Sequence, residues 1–484
     1  MNARLLTKLA GLILCGVAFA GATVDFLTAD ELAQEPLPPA AEDIDVPVRS
    51  PRFAPCGTAS CATSSCHGGP QGTQYAVSSF SYTSWIDRDK HSRAYEVLFD
   101  ERSTRMAKLL GLGAPHQERR CLNCHSLQGS CEAPQPEAVL SDGVGCEACH
   151  GNASRWEAEH FLPQWKSLTT REKQDRYGFE DLSQPLTRAK KCVECHIGSE
   201  GRDVDHELIA AGHPRLMFEY AAYQRLQPIH WDTSGKADSK QDFSARCWIA
   251  GQALSVAAAA RLVTHRANED ATAERQGDRS RWPELAEFDC YACHHGLQTG
   301  TARVALGQGK LGAPRWGTWE LAGAQMVLAG NTRTALNDDD RLLLSAIETL
   351  SQSSAHSFFA PRREPEMLDA AQQATLGAEA WLRSIAATPR VERNLGHNLL
   401  HRLATDDSTV KNWDEAAQFL LALTAFDLSS GAKEPDHPSQ KYLQELRQQL
   451  RFRSDADSPD AFNVASFRQT VLQWHEQPKP KTHP

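Results

Sequence analysis

The chain has 484 residues, a formal net charge of −10 and an isoelectric point near 6.0. No long basic block or stripe occurs in it, so this acidic chain is not expected to bind nucleic acid. Its hydrophobic content of 41% is ordinary, and its length allows two or three domains with ample core.

The first 22 residues have the pattern of an export signal. Arg4 and Lys8 precede an apolar run over residues 9–20, which ends in a small-x-small cleavage site. The sequence therefore predicts a signal peptide over residues 1–22 and a mature protein in the periplasm or elsewhere outside the cytoplasm. The alternative is an uncleaved anchor that holds the protein at a membrane, although the run is short for a bilayer core of about 30 Å.

Three further segments follow the signal. Residues 23–54 are rich in proline and in acidic side chains and poor in apolar ones, which predicts a flexible linker. Residues 55–300 hold every cysteine outside the signal, and residues 301–484 hold none. We therefore expect one domain over 55–300 and a second over 301–484.

Five cysteine–histidine motifs in residues 55–300 have the form of attachment sites for haem c. Four are spaced Cys-x-x-Cys-His; with 14 Cys and 19 His in the chain, chance gives roughly 0.02 such matches. The first is a wider Cys-x4-Cys-His variant. Because the two thiols bind the porphyrin and the histidine binds the iron, the sequence predicts five covalently bound haems c. The motifs are motif 1 (Cys61, Cys66, His67), motif 2 (Cys121, Cys124, His125), motif 3 (Cys146, Cys149, His150), motif 4 (Cys192, Cys195, His196) and motif 5 (Cys290, Cys293, His294).

Three other cysteines remain in the mature chain: Cys56, Cys131 and Cys247. An oxidising compartment permits one disulfide among them. Motif 1 also has an alternative interpretation, in which Cys56 and Cys61 are bridged and Cys66 alone holds a haem.

The predicted fold is mainly α: a multihaem cytochrome c module with a haem-filled core, followed by a C-terminal α-helical domain. Short helical patterns broken by glycine and proline fill the cysteine-rich region. The clearest helix spans 243–266, and another is expected to begin at Pro214. The C-terminal domain is expected either to cap one haem edge or to dock a partner. Its predicted helices are 318–330, 338–352, 366–387, 394–404, 413–428, 438–450 and 460–475.

The histidines outside the motifs decide what each iron does. A second axial histidine makes an electron carrier, whereas an empty sixth position binds a small molecule. The candidates in residues 55–300 are His91, His116, His160, His206, His213, His230, His265 and His295.

The order of these residues resembles the cytochrome c-554 family, whose members are tetrahaem electron acceptors of hydroxylamine oxidoreductase. The resemblance covers about residues 55–220 and implies a role in electron transfer. It rests on Trp85 and the segment 91–95 after motif 1, Arg120 before motif 2, the segment 143–151 around motif 3 with Trp156 and His160, and Lys191 before motif 4.

Two distal ligands follow from this resemblance by position. It implies that His91 is the distal ligand of the fourth haem, opposite His196. It also implies that His160 closes the first haem, opposite His67.

The resemblance treats the second and third haems differently. A histidine beyond motif 4 closes the third haem in that family, which here makes His206 or His213 the partner of His150. The family's second haem is five-coordinate, which implies an open iron at His125 unless His116 closes it.

Motif 5, the wider motif 1 and the helical tail depart from the family. For the fifth iron, the first candidate is whichever of His206 and His213 remains unused, and the next is His230. His206 and His213 are seven residues apart, but Gly212 and Pro214 are expected to break the helix between them, so they can face two different haems.

These features favour an exported pentahaem c-type cytochrome that transfers electrons between periplasmic redox proteins. Its expected partners are other redox proteins, with membrane contact only if the signal is uncleaved. The alternative is a multihaem oxidoreductase that acts on a small nitrogen or sulfur oxide at an open haem, although no Cys-x-x-Cys-Lys motif occurs in the chain. A third possibility is a structural subunit of a respiratory assembly, docked through its helical tail.

Overall fold

Helices account for the secondary structure of this chain in a computed structural model. Within its described part there is no β-strand, only the isolated bridges Ser199–Arg202 and Phe288–Trp316, so the mainly α prediction is confirmed. The predicted signal peptide, the linker up to residue 52 and His295 lie outside the described residues. The described residues are 53–233, 240–276, 282–294, 314–330, 337–357, 365–387, 394–406, 409–430, 438–452, 459 and 462–477.

Short helices separated by turns make up the first part of the described chain. Motifs 2 to 5 lie on or at the ends of such helices, whereas motif 1 begins at the end of the 3-10 turn Thr58–Cys61 and continues into a turn. In motifs 2, 3 and 4 the helix ends at the iron-binding histidine. The helices are α1 Ser81–Arg88, α2 Glu101–Leu109, α3 Arg119–His125, α4 Glu137–Leu140, α5 Cys146–His150, α6 Thr170–Tyr177, α7 Pro185–His196, α8 His206–Ala211, α9 Tyr220–Leu226, α10 Phe243–Gln276 and α11 Cys290–Cys293.

Helix α10 is the long core helix of the molecule. It runs ten residues beyond the predicted end at residue 266, and Ala267 and Asp270 are still buried past that point. It is the one helix of the described ranges that is long and apolar enough to cross a membrane, but 89% of its most apolar stretch is buried inside the protein. A helix that is apolar all round belongs in a core of this kind.

The prediction of a helix that begins at Pro214 is wrong. The chain has no regular secondary structure over 214–219, and α9 begins only at Tyr220. The start of α9 is set by Glu219, whose carboxylate accepts hydrogen bonds from the N–H groups of Ala221 (2.7 Å) and Ala222 (2.8 Å). A side-chain acceptor at this position satisfies donors that an isolated helix end leaves unpaired.

Long amphipathic helices follow motif 5 and lie close to the predicted ranges. The periodicity of apolar residues was therefore sufficient to find them. They are α12 Ala322–Gly330, α13 Asp338–Ser357, α14 Pro365–Ala387, α15 Asn394–Thr405, α16 Trp413–Ser430, α17 Pro438–Gln449 and α18 Val464–His475.

One apolar core joins the two sides of the expected boundary at residue 300. Helix α10 packs against α14 and α16, and the buried cluster extends from Ala189 in α7 to Val471 in α18. The division into domains at residue 300 stays a prediction, but the described part of the tail shares its core with the segment that carries motifs 4 and 5.

Charged groups also join the tail to the surroundings of motif 5. Arg215 makes a two-pronged ion pair with the Asp414 carboxylate, with both N–O distances 2.9 Å. Asp414 is 1% exposed, so removing one partner would leave an unpaired buried charge. Tyr291, inside motif 5, packs its ring edge-on against Trp413 with centroids 5.7 Å apart.

Residues 53–185, by contrast, have little apolar core of their own. The buried clusters described there contain four and three residues, far fewer than a domain of this size needs to offset its conformational entropy. Large apolar groups must fill this region, as the predicted haem-filled core requires.

Glu147, between the two cysteines of motif 3, ties motif 1 to motif 3. Its carboxylate is 1% exposed and accepts three backbone N–H groups: Cys56 at 2.9 Å, Gly57 at 2.7 Å and Ala153 at 2.6 Å. A buried carboxylate with three donors makes strong, charge-assisted hydrogen bonds.

We expect Glu147→Gln to destabilise the haem-loaded protein by about 3 kcal/mol, because the amide NH2 must face a backbone N–H that loses its acceptor. The matched control is Glu118→Gln, since Glu118 accepts one N–H, from Gly113, in an exposed position. Denaturant unfolding of both variants checks the prediction. Equal midpoints for the two variants would contradict it.

Candidate haem-binding site

Pairs of imidazole rings face each other at a separation that fits one metal ion between them. With metal–nitrogen bonds of about 2 Å, and about 1 Å more from each nitrogen to its ring centre, two axial imidazoles have centroids about 6 Å apart. Four pairs in the described part of residues 55–300 have this separation, and each includes the histidine of one motif; a further pair in the tail, His397 with His475 (5.9 Å), includes no motif histidine. The pairs are His67 with His160 (6.1 Å, planes 20° apart), His91 with His196 (6.0 Å, 67°), His125 with His213 (6.4 Å, 87°) and His206 with His294 (6.3 Å, 33°).

The Nδ1 atoms of these rings are held in a way that directs Nε2 to the metal. A ring whose Nδ1–H donates to a fixed acceptor keeps its lone pair on Nε2. Backbone carbonyls are the acceptors for five histidines. The bonds join His67 to Ser78 (2.6 Å), His125 to Ala94 (2.8 Å), His160 to Glu157 (2.7 Å), His213 to Pro214 (2.8 Å) and His230 to Pro228 (3.1 Å).

Burial favours the neutral form of three of these rings, His125, His196 and His213, as a metal ligand requires. Burial lowers the pKa of His196 to about 4, and it also lowers the pKa values of His125 and His213. His91 differs: burial lowers its pKa, but its bond to the Asp89 carboxylate outweighs that effect and leaves the pKa raised.

His150 of motif 3 does not face His206 or His213, contrary to the expectation from sequence. The structure places His230 near it instead: burial and then the charge of His230 lower the pKa of His150 to about 4. The His150 Nδ1 is buried without a hydrogen-bond partner. His230 was considered only for the fifth iron, and no local pattern marks it as a partner of motif 3, because the turn after α9 brings it there.

His213 faces His125, where an open iron was expected. Arg102 on α2 holds the segment by donating from its Nε to the Gly212 carbonyl at 2.8 Å. Gly212 has a φ of +125°, which an L side chain rarely adopts, and this turn aims His213 away from α8. His116, the other candidate, stacks on Phe99 with centroids 4.3 Å apart.

His206 faces His294 of motif 5 from the first residue of α8. Its backbone N–H donates to the Glu284 carboxylate at 2.8 Å, which ties the start of α8 to the segment just before motif 5. Helix α8 ends at Ala211, so His206 and His213 lie on two sides of a break and face two different motifs.

Thiols from different motifs lie in contact. Cys61 of motif 1 and Cys146 of motif 3 share a hydrogen bond, which lowers the pKa of the first thiol and raises that of the second. Cys195 and Cys124 share another, which lowers the pKa of Cys195 and raises that of Cys124. Motif 1 therefore adjoins motif 3, and motif 2 adjoins motif 4.

Two further contacts link these pairs. Burial and then the charge of Cys149 in motif 3 raise the pKa of Cys192 in motif 4 to about 12, so motifs 3 and 4 are neighbours. Helix α8 and its C-terminal turn carry both His206 and His213, which makes motifs 5 and 2 neighbours. The five motifs thus follow one another in space in the order 1, 3, 4, 2, 5.

The arrangement fits covalently bound haem c in its donor set, in the spacing of the facing rings and in the sparse core around motifs 1 to 3. Each motif brings two thiols and one imidazole to one place, and a histidine from elsewhere lies near that imidazole. The facing histidines would hold a bound haem iron from both sides, and such an iron supplies electron transfer.

The cysteines outside the motifs form no disulfide in the described chain, although composition permits one. The N–H of Cys56 bonds to Glu147, Cys131 lies beside Asn152, and Cys247 is buried in the main core. The alternative bridge between Cys56 and Cys61 is also not formed in the structure.

Comparisons with known proteins agree with this reading of the motifs. A family model described as "Cytochrome c554 and c-prime" matches residues 60–151, which hold motifs 1 to 3. Cytochrome c-554 of Nitrosomonas europaea is 27% identical over 125 residues, which are 24% of this chain and 52% of that protein. The chain thus spans about half the length of that relative. No solved structure matches the present chain.

We expect His213→Ala to open the iron bound by His125 and to leave the others closed, because no second ring would face it. In the ferric protein, electron paramagnetic resonance should show one new high-spin signal that disappears when imidazole is added. His116→Ala is the control and should leave the spectrum unchanged. If His213→Ala stayed low-spin and His116→Ala gained the high-spin signal, the second ligand of the His125 iron would be His116 and not His213.

Proposed function

We propose that this chain, whose residues 60–151 match the cytochrome c-554 family model and which is 27% identical over 125 residues to a cytochrome c-554, is an exported pentahaem c-type cytochrome that relays electrons between periplasmic redox proteins. The observation that carries the proposal is the set of facing histidines. Each motif of the described chain has a second imidazole nearby. Reversible one-electron exchange between ferric and ferrous iron is the chemistry that a bound haem supplies.

The residues around the motifs orient the ligands and exclude other molecules from the iron. The Nδ1 bonds of His67, His125 and His160 hold the rings at fixed angles, so little reorganisation is needed when the charge at the iron changes. His213 and His206 occupy positions at which water or a substrate would otherwise bind. These features support electron transfer rather than chemistry on a ligand.

The order of the motifs in space supports a relay with two ends. Cys66 of motif 1 and Cys293 of motif 5 are exposed, whereas the cysteines of motifs 2, 3 and 4 are partly covered. We infer that electrons pass between partners at the motif 1 end and at the motif 5 end, through motifs 3, 4 and 2.

Export is supported by the sequence and by the chemistry of attachment. The signal-like residues 1–22 precede the motifs, and haem c is attached outside the cytoplasm of bacteria. The partners are other redox proteins of that compartment, and the anchored alternative would hold the same relay beside the membrane.

The alternative function, oxidation or reduction of a small nitrogen or sulfur oxide, requires an open iron. Its candidate was the iron at His125, which His213 faces at 6.4 Å between ring centroids. No feature of the described residues favours this alternative over electron transfer.

The test is a haem count on the mature protein by intact mass and by pyridine haemochrome absorbance. We expect five haems, and four in a variant in which Cys290 and Cys293 are both replaced by serine. A count of four in the unmodified protein, unchanged in that variant, would show that motif 5 holds no haem and that the relay ends at motif 2. The matched control replaces Cys56 and Cys131 by serine and should keep five.

A further inference from the structure

Asp89 occupies an unusual position beside an axial histidine. It follows α1 directly and caps the short helical turn Lys90–Arg93. Its side chain is 7% exposed, and its Oδ1 accepts the backbone N–H of His91 at 3.0 Å and lies 2.9 Å from the Nδ1 of the same residue. The cap thus fixes both the backbone and the ring of one ligand.

The chemical nature of this acceptor distinguishes His91 from other axial histidines. Where the structure describes the Nδ1 partner of another axial histidine, that partner is a backbone carbonyl, as at His67, His125 and His213. A carboxylate attracts the Nδ1 proton more strongly than a carbonyl does, because it carries a full negative charge. The ring then acquires partial imidazolate character, and its Nε2 becomes a stronger donor to the metal.

A stronger donor and a nearby buried negative charge both favour ferric over ferrous iron. In the interior the charge is poorly screened, so its effect on a ligand in direct contact is large. The charge of Asp89 also reaches His230 of the neighbouring site: burial lowers the pKa of His230, and Asp89 acts in the opposite direction. His91 is hydrogen-bonded to Asp89, so the effect on its own iron is the larger one.

We propose that Asp89 is a positioning residue that lowers the reduction potential of the iron held by His91 and His196. The inference rests on the proposed function, in which motif 4 lies in the middle of the relay. A low potential at that point makes electrons reside on either side of motif 4, toward motif 1 or toward motif 2, and pass the middle only transiently. Asp89 would then set the rate at which the two ends of the relay exchange electrons.

The variant Asp89→Asn tests this in the full haem-loaded protein, because asparagine keeps the size and the Oδ1 acceptor but removes the charge. The readout is the midpoint potential from a redox titration followed by electron paramagnetic resonance. Crossed axial rings give a more anisotropic low-spin signal than near-parallel rings do, and the planes of His91 and His196 are 67° apart. The rings of His125 and His213 are also crossed, at 87°. The low-spin signal of that pair is identified because it disappears in His213→Ala.

We expect Asp89→Asn to raise the reduction potential of the His91 and His196 site. The equilibrium constant for reduction should increase at least about tenfold, which corresponds to about 59 mV for a one-electron couple. Asp89→Glu, which keeps the charge, should remain closer to the unmodified protein. The matched control is Asp205→Asn. Asp205 is also a buried cap beside a ligand, His206, but its carboxylate accepts the Leu208 N–H at 2.9 Å and pairs with Arg120 at 2.6 Å. It should leave the potential of the His91 and His196 site unchanged.

An unchanged potential at this site in Asp89→Asn, with five haems bound, overturns the inference and leaves the proposed function intact. If Asp89→Asn does not bind its haems, Asp89→Ser is the second neutral variant, since serine also caps helix starts. The same rise in potential is expected in this variant. An unchanged potential in Asp89→Ser overturns the inference. Absence of haem at motif 4 in the unmodified protein would instead contradict the proposed function itself.

Discussion

The architecture depends on one constraint: two neutral imidazoles must face each other across about 6 Å with their Nε2 atoms directed inward. A ligand ring must be neutral and must not rotate freely, and a buried setting and an acceptor at Nδ1 favour both. The carbonyls of Ser78, Ala94 and Pro214 supply that acceptor to His67, His125 and His213. Turns and short helices satisfy this requirement better than long helices do, because a turn exposes carbonyls that a helix would use internally.

The long helices have a different task, which is to supply the apolar core that the haem-binding region lacks. Helix α10 and the tail helices enclose one continuous cluster that begins in α7, the helix that ends in motif 4. The buried ion pair of Arg215 and Asp414 joins that core to the segment between His213 and α9. We therefore regard the tail as part of the support for motifs 4 and 5, and the shared core favours the cap over a separate docking module.

The motifs and helices of this protein could be predicted from sequence, whereas most contacts between distant segments could not. Motifs 2 to 5 are local because their two thiols lie within one helical turn, and the wider motif 1 follows from its Cys-x4-Cys-His order. The tail helices followed from apolar periodicity. The distal ligands come from chain segments whose positions depend on the whole fold. The family resemblance implied that His91 is opposite His196 and His160 opposite His67, and these rings face each other in the structure, but it gave no guide to the ligand of motif 5. This is why His213 was considered for motif 3 or motif 5, although the turn at Gly212 directs it to motif 2.

The same reasoning explains the errors in detail. Proline at the first position favours a helix, yet the segment after Pro214 is not helical, and the Glu219 carboxylate caps α9 so that the helix begins only at Tyr220. The predicted end of α10 at residue 266 is also too early. The helix continues to Gln276, and His265 lies inside it and faces Glu269, about one turn later, at 3.4 Å.

The central claim is that every iron in this protein has an imidazole on both faces. Resonance Raman spectroscopy of the reduced, haem-loaded protein before and after addition of carbon monoxide tests it most directly. The account predicts only six-coordinate, low-spin marker bands and no carbon monoxide adduct on the timescale of mixing. A five-coordinate, high-spin band that carbon monoxide converts at once would contradict it, and would restore an open iron as the functional centre.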